Sequence, residues 1–372
     1  MFEIENWHRN NYQKKLKGRR ITTEDILPIV KKLDSLFKVE KIGKSELGKD
    51  IFSISFGKGE KNILIWTQMH GNESTGTKAV FDLFKYFENS EENNLIANAI
   101  LNNCKITVIP VLNPDGAEKY TRVNSNQVDL NRDVIDQNAA ESKILMQMLK
   151  MVDPYYCFNL HDQRTIFSVT EINNPATLSF LAPSIDEART VTNGRMQTME
   201  TIVAMNNMLQ KFIPDQVGRY SDEFYPTATG DNFQKMGHNT ILIESGHFKD
   251  DYQRENTRRY TFLALLKGIY SIAQPEDGID FQSYFDIPNN EKLYLDMIIK
   301  NINYKGDIVD VGVLFIESLI GGSINLIPSI ELVGDLKEYN ANTVIFDQKK
   351  DIKSEKELIK WLKNEYSRII LR

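Results

Sequence analysis

Two short stretches hold residues whose types and spacing suit metal chemistry: "MHGNES" at 69–74 and "FNLHDQR" at 158–164. A catalytic zinc commonly takes three protein ligands and leaves a fourth position for water. His70 and Glu73, three positions apart after the apolar run "NILIW", supply two of them. His161, at the end of a second apolar run, supplies the third. The chain has only five histidines (His8, His70, His161, His238 and His247), so the choice is narrow.

Between these stretches lies "RVNSNQVDLNRD", residues 122–133. Arg122 is a fixed cation. Asn131 and Arg132 form an amide–guanidinium pair able to grip a carboxylate through charge-assisted hydrogen bonds. Asp129 is placed to accept the far ring N–H of a metal-bound histidine, as such histidines usually require. Further on, "ILIESGH" sets Glu244 at the end of an apolar run, where a carboxylate beside a zinc-bound water serves as general base. Tyr225, in the Pro- and Gly-bearing "DEFYPTATGD", could cover a substrate, and Asp231 in the same loop favours a basic terminal side chain. His238 sits in a Gly-His-Asn turn that a local hydrogen bond satisfies. His247, three residues after Glu244, is a candidate substrate contact.

The elements that must position these residues alternate between strand and helix. "DIFSISFG", "NILIWTQM", "CKITVIPVL", "YYCFNLH" and "NTILIESGHF" read as strands, from their β-branched and aromatic content. "NPDG" reads as a turn closing the third of them. "TGTKAVFDLFKYFEN", "AAESKILMQMLKMVD", "RMQTMETIVAMNNMLQKFI" and "RYTFLALLKGIYSIAQ" read as helices by their apolar spacing. Continuous apolar strands between helices predict an α/β fold: a mixed, largely parallel sheet with helices on both faces. In such sheets functional residues gather beyond the carboxyl ends of the strands, where His70, His161 and Glu244 all fall.

The pattern changes near "QPEDGID". Residues 1–275 read as the catalytic domain and 276–372 as a small β-rich or α+β accessory domain. The latter should hold one short helix, then strands in "DIVDVGVLFIES", "SINLIPSIELVGDL" and "NTVIFDQ", and a last helix "SEKELIKWLKNEY". It contains neither histidine nor cysteine.

Bulk properties exclude several classes. Net charge is −6 over 372 residues, against the basic footprint of a nucleic-acid binder. No apolar run is long enough to span a bilayer, and the first twenty residues lack the apolar segment of a signal peptide. With two cysteines, Cys104 and Cys157, each in an apolar run, a cytoplasmic protein with buried free thiols is expected.

The ordered set of His-x-x-Glu, arginine, Asn-Arg, histidine, loop tyrosine and glutamate resembles the zinc metallocarboxypeptidases of the carboxypeptidase A type. The resemblance covers roughly residues 10–275 and includes "GKSELGKDIFSISFG" and "NPDG". Arg122 precedes Asn131 by nine positions, as in compact bacterial members. It implies one zinc per chain on His70, Glu73 and His161, with Glu244 activating the water and Arg122 stabilising the oxyanion. By the same resemblance Asn131 and Arg132 hold the terminal carboxylate, Tyr225 closes over the substrate and Asp129 orients His70. Digestive members carry an arginine immediately before the zinc glutamate, where this chain has Asn72. "HGNE" and "LHDQR" also resemble zinc deacylases of the succinylglutamate desuccinylase and aspartoacylase type. The expected activity is thus a metallocarboxypeptidase acting on peptides with a free carboxylate. The alternatives are a zinc deacylase or amidase acting on N-acyl amino acids or cell-wall peptides, and an inactive binding protein of the same fold.

Overall fold

The computed structural model describes residues 1–91, 93–169, 174–346 and 351–365. Two N-terminal helices, α1 (Phe2–Asn11) and α2 (Thr23–Val30), precede β1 (Lys38–Lys44), β2 (Asp50–Phe56) and β3 (Lys61–Thr67). Then come α3 (Thr75–Glu88), α4 (Leu95–Asn103), β4 (Cys104–Ile109), α5 (Pro114–Lys119), α6 (Ala140–Val152) and β5 (Tyr156–Asp162). The chain continues through β6 (Ser168–Val169), β7 (Asn174–Pro175), β8 (Leu178–Leu181), α7 (Asn193–Leu209), β9 (Val217–Arg219), α8 (Thr229–Lys235), β10 (Asn239–Ser245) and α9 (Glu255–Ala273).

The central sheet runs β1-β2-β4-β3-β5-β10-β8-β9. Strands β4, β3, β5 and β10 are mutually parallel, and β2 and β8 join them antiparallel. This is the expected mixed, largely parallel α/β sheet. Its middle strands are largely apolar and buried because both faces are covered. On one face Ile63, Ile65, Phe158, Leu160, Ile241 and Ile243 pack with residues of α3, α7 and α9. On the other, Leu64, Trp66 and Cys157 pack with Leu145 and Leu149 of α6 and Phe233 of α8. Each such large side chain contributes on the order of 1.5–3 kcal/mol by leaving water. Side chains alternate along a strand, so His161 and Glu244 emerge on the α6/α8 face. The register pairs them directly across β5 and β10.

Two local expectations fail. "NPDG" is the start of helix α5 rather than a turn: Asn113 caps it by accepting from the Gly116 N–H at 2.8 Å, and Pro114 occupies the first turn. Where a short helix was expected after residue 280, there is a 3-10 turn, Phe281–Tyr284, and then a long strand. A strand covered on both faces lacks the alternation that separates it from a buried helix.

That strand opens a second sheet. After the two-residue β11 (Asn290–Glu291), its elements are β12 (Tyr294–Tyr304), β13 (Asp307–Ile320), β14 (Ser323–Gly334), β15 (Asn340–Phe346) and β16 (Asp351–Ile352), followed by α10 (Glu355–Glu365). The order is β14-β13-β12-β15, with β16 also on β12, while β11 pairs with β6. Asp347 and Gln348 of the expected strand, and Tyr366 of the expected helix, lie outside the described residues. One face carries α10 through Leu358, Trp361 and Leu362. On the other, Leu295, Ile298, Leu314 and Leu336 pack with Ile166, so the second sheet rests on the segment that follows His161. Among the described residues no helix is long and apolar enough to cross a membrane. Cys104 and Cys157 are free and buried.

Candidate active site

The site forms where β3, β5 and β10 end. Gln68, just past β3, holds a left-handed backbone (φ 46°) that few non-glycine residues adopt. Its amide fixes the turn by donating to Ile21 O (3.0 Å) and Gly71 O (2.9 Å) and accepting from Thr77 (2.6 Å). Gly71 is needed for a different reason: a Cβ there would stand 2.0 Å from the Gly116 backbone. The "HGNE" turn and α5 therefore pack backbone to backbone, and His70 and Glu73 point to one place.

There they meet His161. His70 Nδ1 lies 2.9 Å from Glu73 Oε1, His161 Nδ1 lies 2.8 Å from Glu73 Oε2, and the two ring nitrogens are 3.1 Å apart. One ligand atom from each of the three falls within 4.8 Å of the others. The cluster is almost fully buried. His70 Nε2 faces Asp129 Oδ1 at 3.0 Å. An ionised Asp129 only accepts, which places the ring proton on Nε2 and leaves the Nδ1 lone pair facing the cluster. Two imidazole nitrogens and a carboxylate converging in this way fit a zinc ion. Burial disfavours the charged forms of all three. Glu73 nevertheless stays well below the usual carboxylate range because both histidines face it, and the His161 ring is pushed down, chiefly by burial.

Glu244, opposite His161 in register, is a different kind of carboxylate. Its Oε2 is buried without a hydrogen-bond partner. Burial, then the charges of Glu73 and Asp162, raise its pKa well above that of a free glutamate, against the pull of Arg122 and Arg254. Arg122 donates from Nε to Asp129 (3.1 Å), and its Nη1 stands 3.6 Å from Glu73. Asn131 accepts from the Thr229 N–H at 3.3 Å, and Asp129 caps this turn through the Asn131 N–H at 2.9 Å. Arg132 folds back to Asn131 O (2.9 Å), with its guanidinium 5.8 Å from the Tyr225 ring centre. Tyr225 is half exposed, at 51%. His70, Glu73, His161, Asp129, Arg122 and Glu244 thus adjoin one another, and Asn131, Arg132 and Tyr225 follow on from Asp129.

Two expectations change. Asp231 lies in α8, not in a loop, and accepts from the Tyr225 N–H at 3.1 Å. Burial lifts it to about 6. It anchors the Tyr225 segment and is nearly inaccessible to a basic substrate side chain. His247 turns away from the cleft toward the second sheet, with Nε2 3.3 Å from Asn342 Oδ1 and rings of Tyr252 and Tyr294 beside it. His238 is satisfied too, though not by a local bond: its Nδ1 meets Pro154 O at 2.7 Å, 84 positions away in the chain.

Other polar residues behind the cleft escaped sequence reasoning. Asp162 takes the Thr75 hydroxyl at 2.7 Å and so ties β5 to the start of α3. Arg254 donates to Gln163 O (2.5 Å) and Ser245 O, closing the ends of β5 and β10. Arg19, Tyr120 and Glu317 complete a cluster assembled from five distant segments. No spacing along the chain signals it.

Residues 26–152 match the family model described as Zinc carboxypeptidase. The chain is similar to carboxypeptidase SOL1 of Arabidopsis thaliana, 29% identical over 113 residues, covering 29% of this chain and 23% of that protein. It is also similar to human carboxypeptidase D, 24% identical over 177 residues, covering 41% of this chain and 13% of that protein. The matched segments thus span under a quarter of these relatives' lengths. Among solved structures, the fold matches a metallo-carboxypeptidase from Burkholderia cenocepacia (TM-score 0.54, 16% identity, 68% of this chain and 69% of that one). It also matches carboxypeptidase A from Helicoverpa armigera (TM-score 0.54, 14% identity, 74% and 81%). The fold is that of the metallocarboxypeptidases, and the resemblance to zinc carboxypeptidases drawn from the residues extends to the family model and to the structure.

Proposed function

We propose that the protein is a zinc-dependent carboxypeptidase that removes C-terminal residues from peptides, with one zinc per chain on His70, Glu73 and His161. The observation that carries this reading is Glu244: a carboxylate with one buried, unpartnered oxygen, directly across two parallel strands from His161. A bound zinc supplies Lewis acidity and brings the pKa of water to about 7. Glu244 takes a proton from the attacking water and delivers it to the departing amine, while the water oxygen stays in the new carboxylate. Burial and the charges of Glu73 and Asp162 raise its pKa, which strengthens it as a proton acceptor. Arg122 donates to the carbonyl oxygen as charge develops there. Asn131 and Arg132 hold the terminal carboxylate, and Tyr225 covers it. Asp129 keeps His70 in the required tautomer. On this reading residues 1–275 form the catalytic domain, residues 276–372 an accessory domain, and the protein is cytoplasmic.

The test is a hydrolysis screen, with and without zinc, of free-carboxylate peptides, the same peptides amidated, and N-acyl amino acids. Cleavage of free but not amidated peptides supports the proposal. Cleavage confined to N-acyl amino acids makes the protein a deacylase, and zinc and peptide binding with no turnover makes it a binding protein.

A further inference from the structure

We propose that Glu317, a residue of the second sheet, is a positioning residue for Arg122: its carboxylate anchors Tyr120 and Arg19 and so fixes the loop from which Arg122 reaches the site. This rests on reading Arg122 as the donor to the developing oxyanion.

Glu317 projects from β13 into the catalytic body. Its two oxygens take Arg19 Nη2 at 2.8 and 3.0 Å, and the Tyr120 hydroxyl donates to the same carboxylate. Arg19 and Tyr120 are both buried. Tyr120 closes α5 in the left-handed region (φ 57°, ψ 49°). A bulky residue is strained there and persists only where its surroundings hold it. The Tyr120 ring is held by its hydroxyl. The link onward is short and stiff: the Thr121 N–H donates to Gly116 O at 2.9 Å and its hydroxyl to Val123 O at 3.0 Å. Arg122 follows with a side chain 48% exposed, so packing does not aim it. Its direction comes from the Asp129 contact and from the backbone that Tyr120 sets.

The same carboxylate has a second consequence. Arg19 and Arg254 lie close enough for each to disfavour the other's charge, and Arg254 closes the strand ends beside His161 and Glu244. Asp162, 3.7 Å from Arg254, offsets part of this charge, and Glu317 supplies the further negative charge in the cluster. A buried cation left without its partner is strongly destabilising. The second sheet thus acts as part of the support of the site.

The experiment measures kcat, KM, bound zinc and melting temperature on an N-acyl dipeptide with a free terminal carboxylate. The variants are Glu317→Gln, Tyr120→Phe, both together, Arg122→Ala and Asn342→Ala. Asn342 bridges His247 and the Asp250 N–H (2.8 Å) at the same inter-sheet contact, away from Arg122. Arg122→Ala should lower kcat by about 10²–10³-fold, as loss of an oxyanion donor does. Glu317→Gln and Tyr120→Phe should each lower kcat roughly tenfold, as misplacement of a catalytic group does, with zinc retained and KM within about twofold. The double variant should fall no further than the worse single one, and Asn342→Ala should lower the melting temperature with kcat intact. Tyr120→Phe removes one oxygen and keeps the test open if Glu317→Gln does not fold. Parent-level kcat in Tyr120→Phe, or equal kcat losses in it and in Asn342→Ala, overturns the positioning role while leaving Arg122 in place. Parent-level kcat in Arg122→Ala overturns the reading of Arg122, and the proposal with it.

Discussion

The central sheet and the second sheet are built from similar residues but bury them differently. β5 is buried along nearly its whole length, and β10 opens only at Leu242 and Glu244. β13 and β14 are half exposed, with Ile316 and Ile320 largely in water. On the proposed function, catalysis accounts for the contrast. Side chains that must converge within ångströms need a frame with no freedom, which close packing on both faces provides. The second sheet presents one set of positions, around Phe315 and Glu317, to the catalytic body and leaves others to solvent. The difference teaches that structural precision is local. It is concentrated at the strand ends that hold charge and relaxed elsewhere.

The sharpest break of this comparison is at the metal cluster. His161→Ala removes one of the three proposed ligands, so zinc and activity should both be lost, read by metal analysis of the purified protein and by peptide hydrolysis. Stoichiometric zinc in that variant would place the metal elsewhere. Glu244→Gln comes next. It keeps shape and removes the base, so turnover should fall by about 10²–10⁴-fold with zinc still bound. Near-parent turnover in that variant would assign the proton transfer to another group. Arg132→Ala should leave kcat closer to the parent and raise KM for free-carboxylate peptides, by about 10–100-fold for a lost charge-assisted contact. An unchanged KM would remove Arg132 from carboxylate binding.

A smaller effect sharpens the comparison at the contact between the sheets. Burial holds His247 near 4, below the usual imidazole value. Between about 6.5 and 4 the unfolded chain binds the proton and the folded one does not, so stability rises with pH across that window. The contribution is present above 6.5 and lost as pH falls toward 4. Relative to His247→Gln, the parent should lose at most a few kcal/mol over this range, as each pKa unit is worth about 1.4 kcal/mol. Parallel stability curves for the two proteins would show that His247 is not held neutral. The smallest effect belongs to the open face: Ile316→Ser should change stability by no more than about 0.5 kcal/mol, read by chemical denaturation. A loss of several kcal/mol there would mean the face is covered in solution.

Much of the central sheet was legible because its signals are local. Apolar runs bounded by polar turns mark β3, β5 and β10, and the residues that end them are those that meet. The order His70, Glu73, Arg122, Asn131, Arg132, His161, Tyr225, Glu244 carries the resemblance without any coordinates. β12 was not legible, because Leu295, Met297, Ile298 and Ile299 are buried on both faces and show no period of two. Nor was α5, whose six residues give too short a run for periodicity.

By itself, then, the sequence determined which residue types were available for the metal and the carboxylate, and marked β3, β5 and β10 as strands. Composition and spacing act along the chain and need no partner. Only the tertiary structure decided where the buried charges find one another. Arg19, Tyr120, Arg254 and Glu317 come from segments as much as 298 positions apart and form one cluster behind the site. His247, three residues from Glu244, faces the other sheet. Which buried group pairs with which depends on how strands stack and which face of each is turned inward, and a linear pattern of residues does not encode that distance.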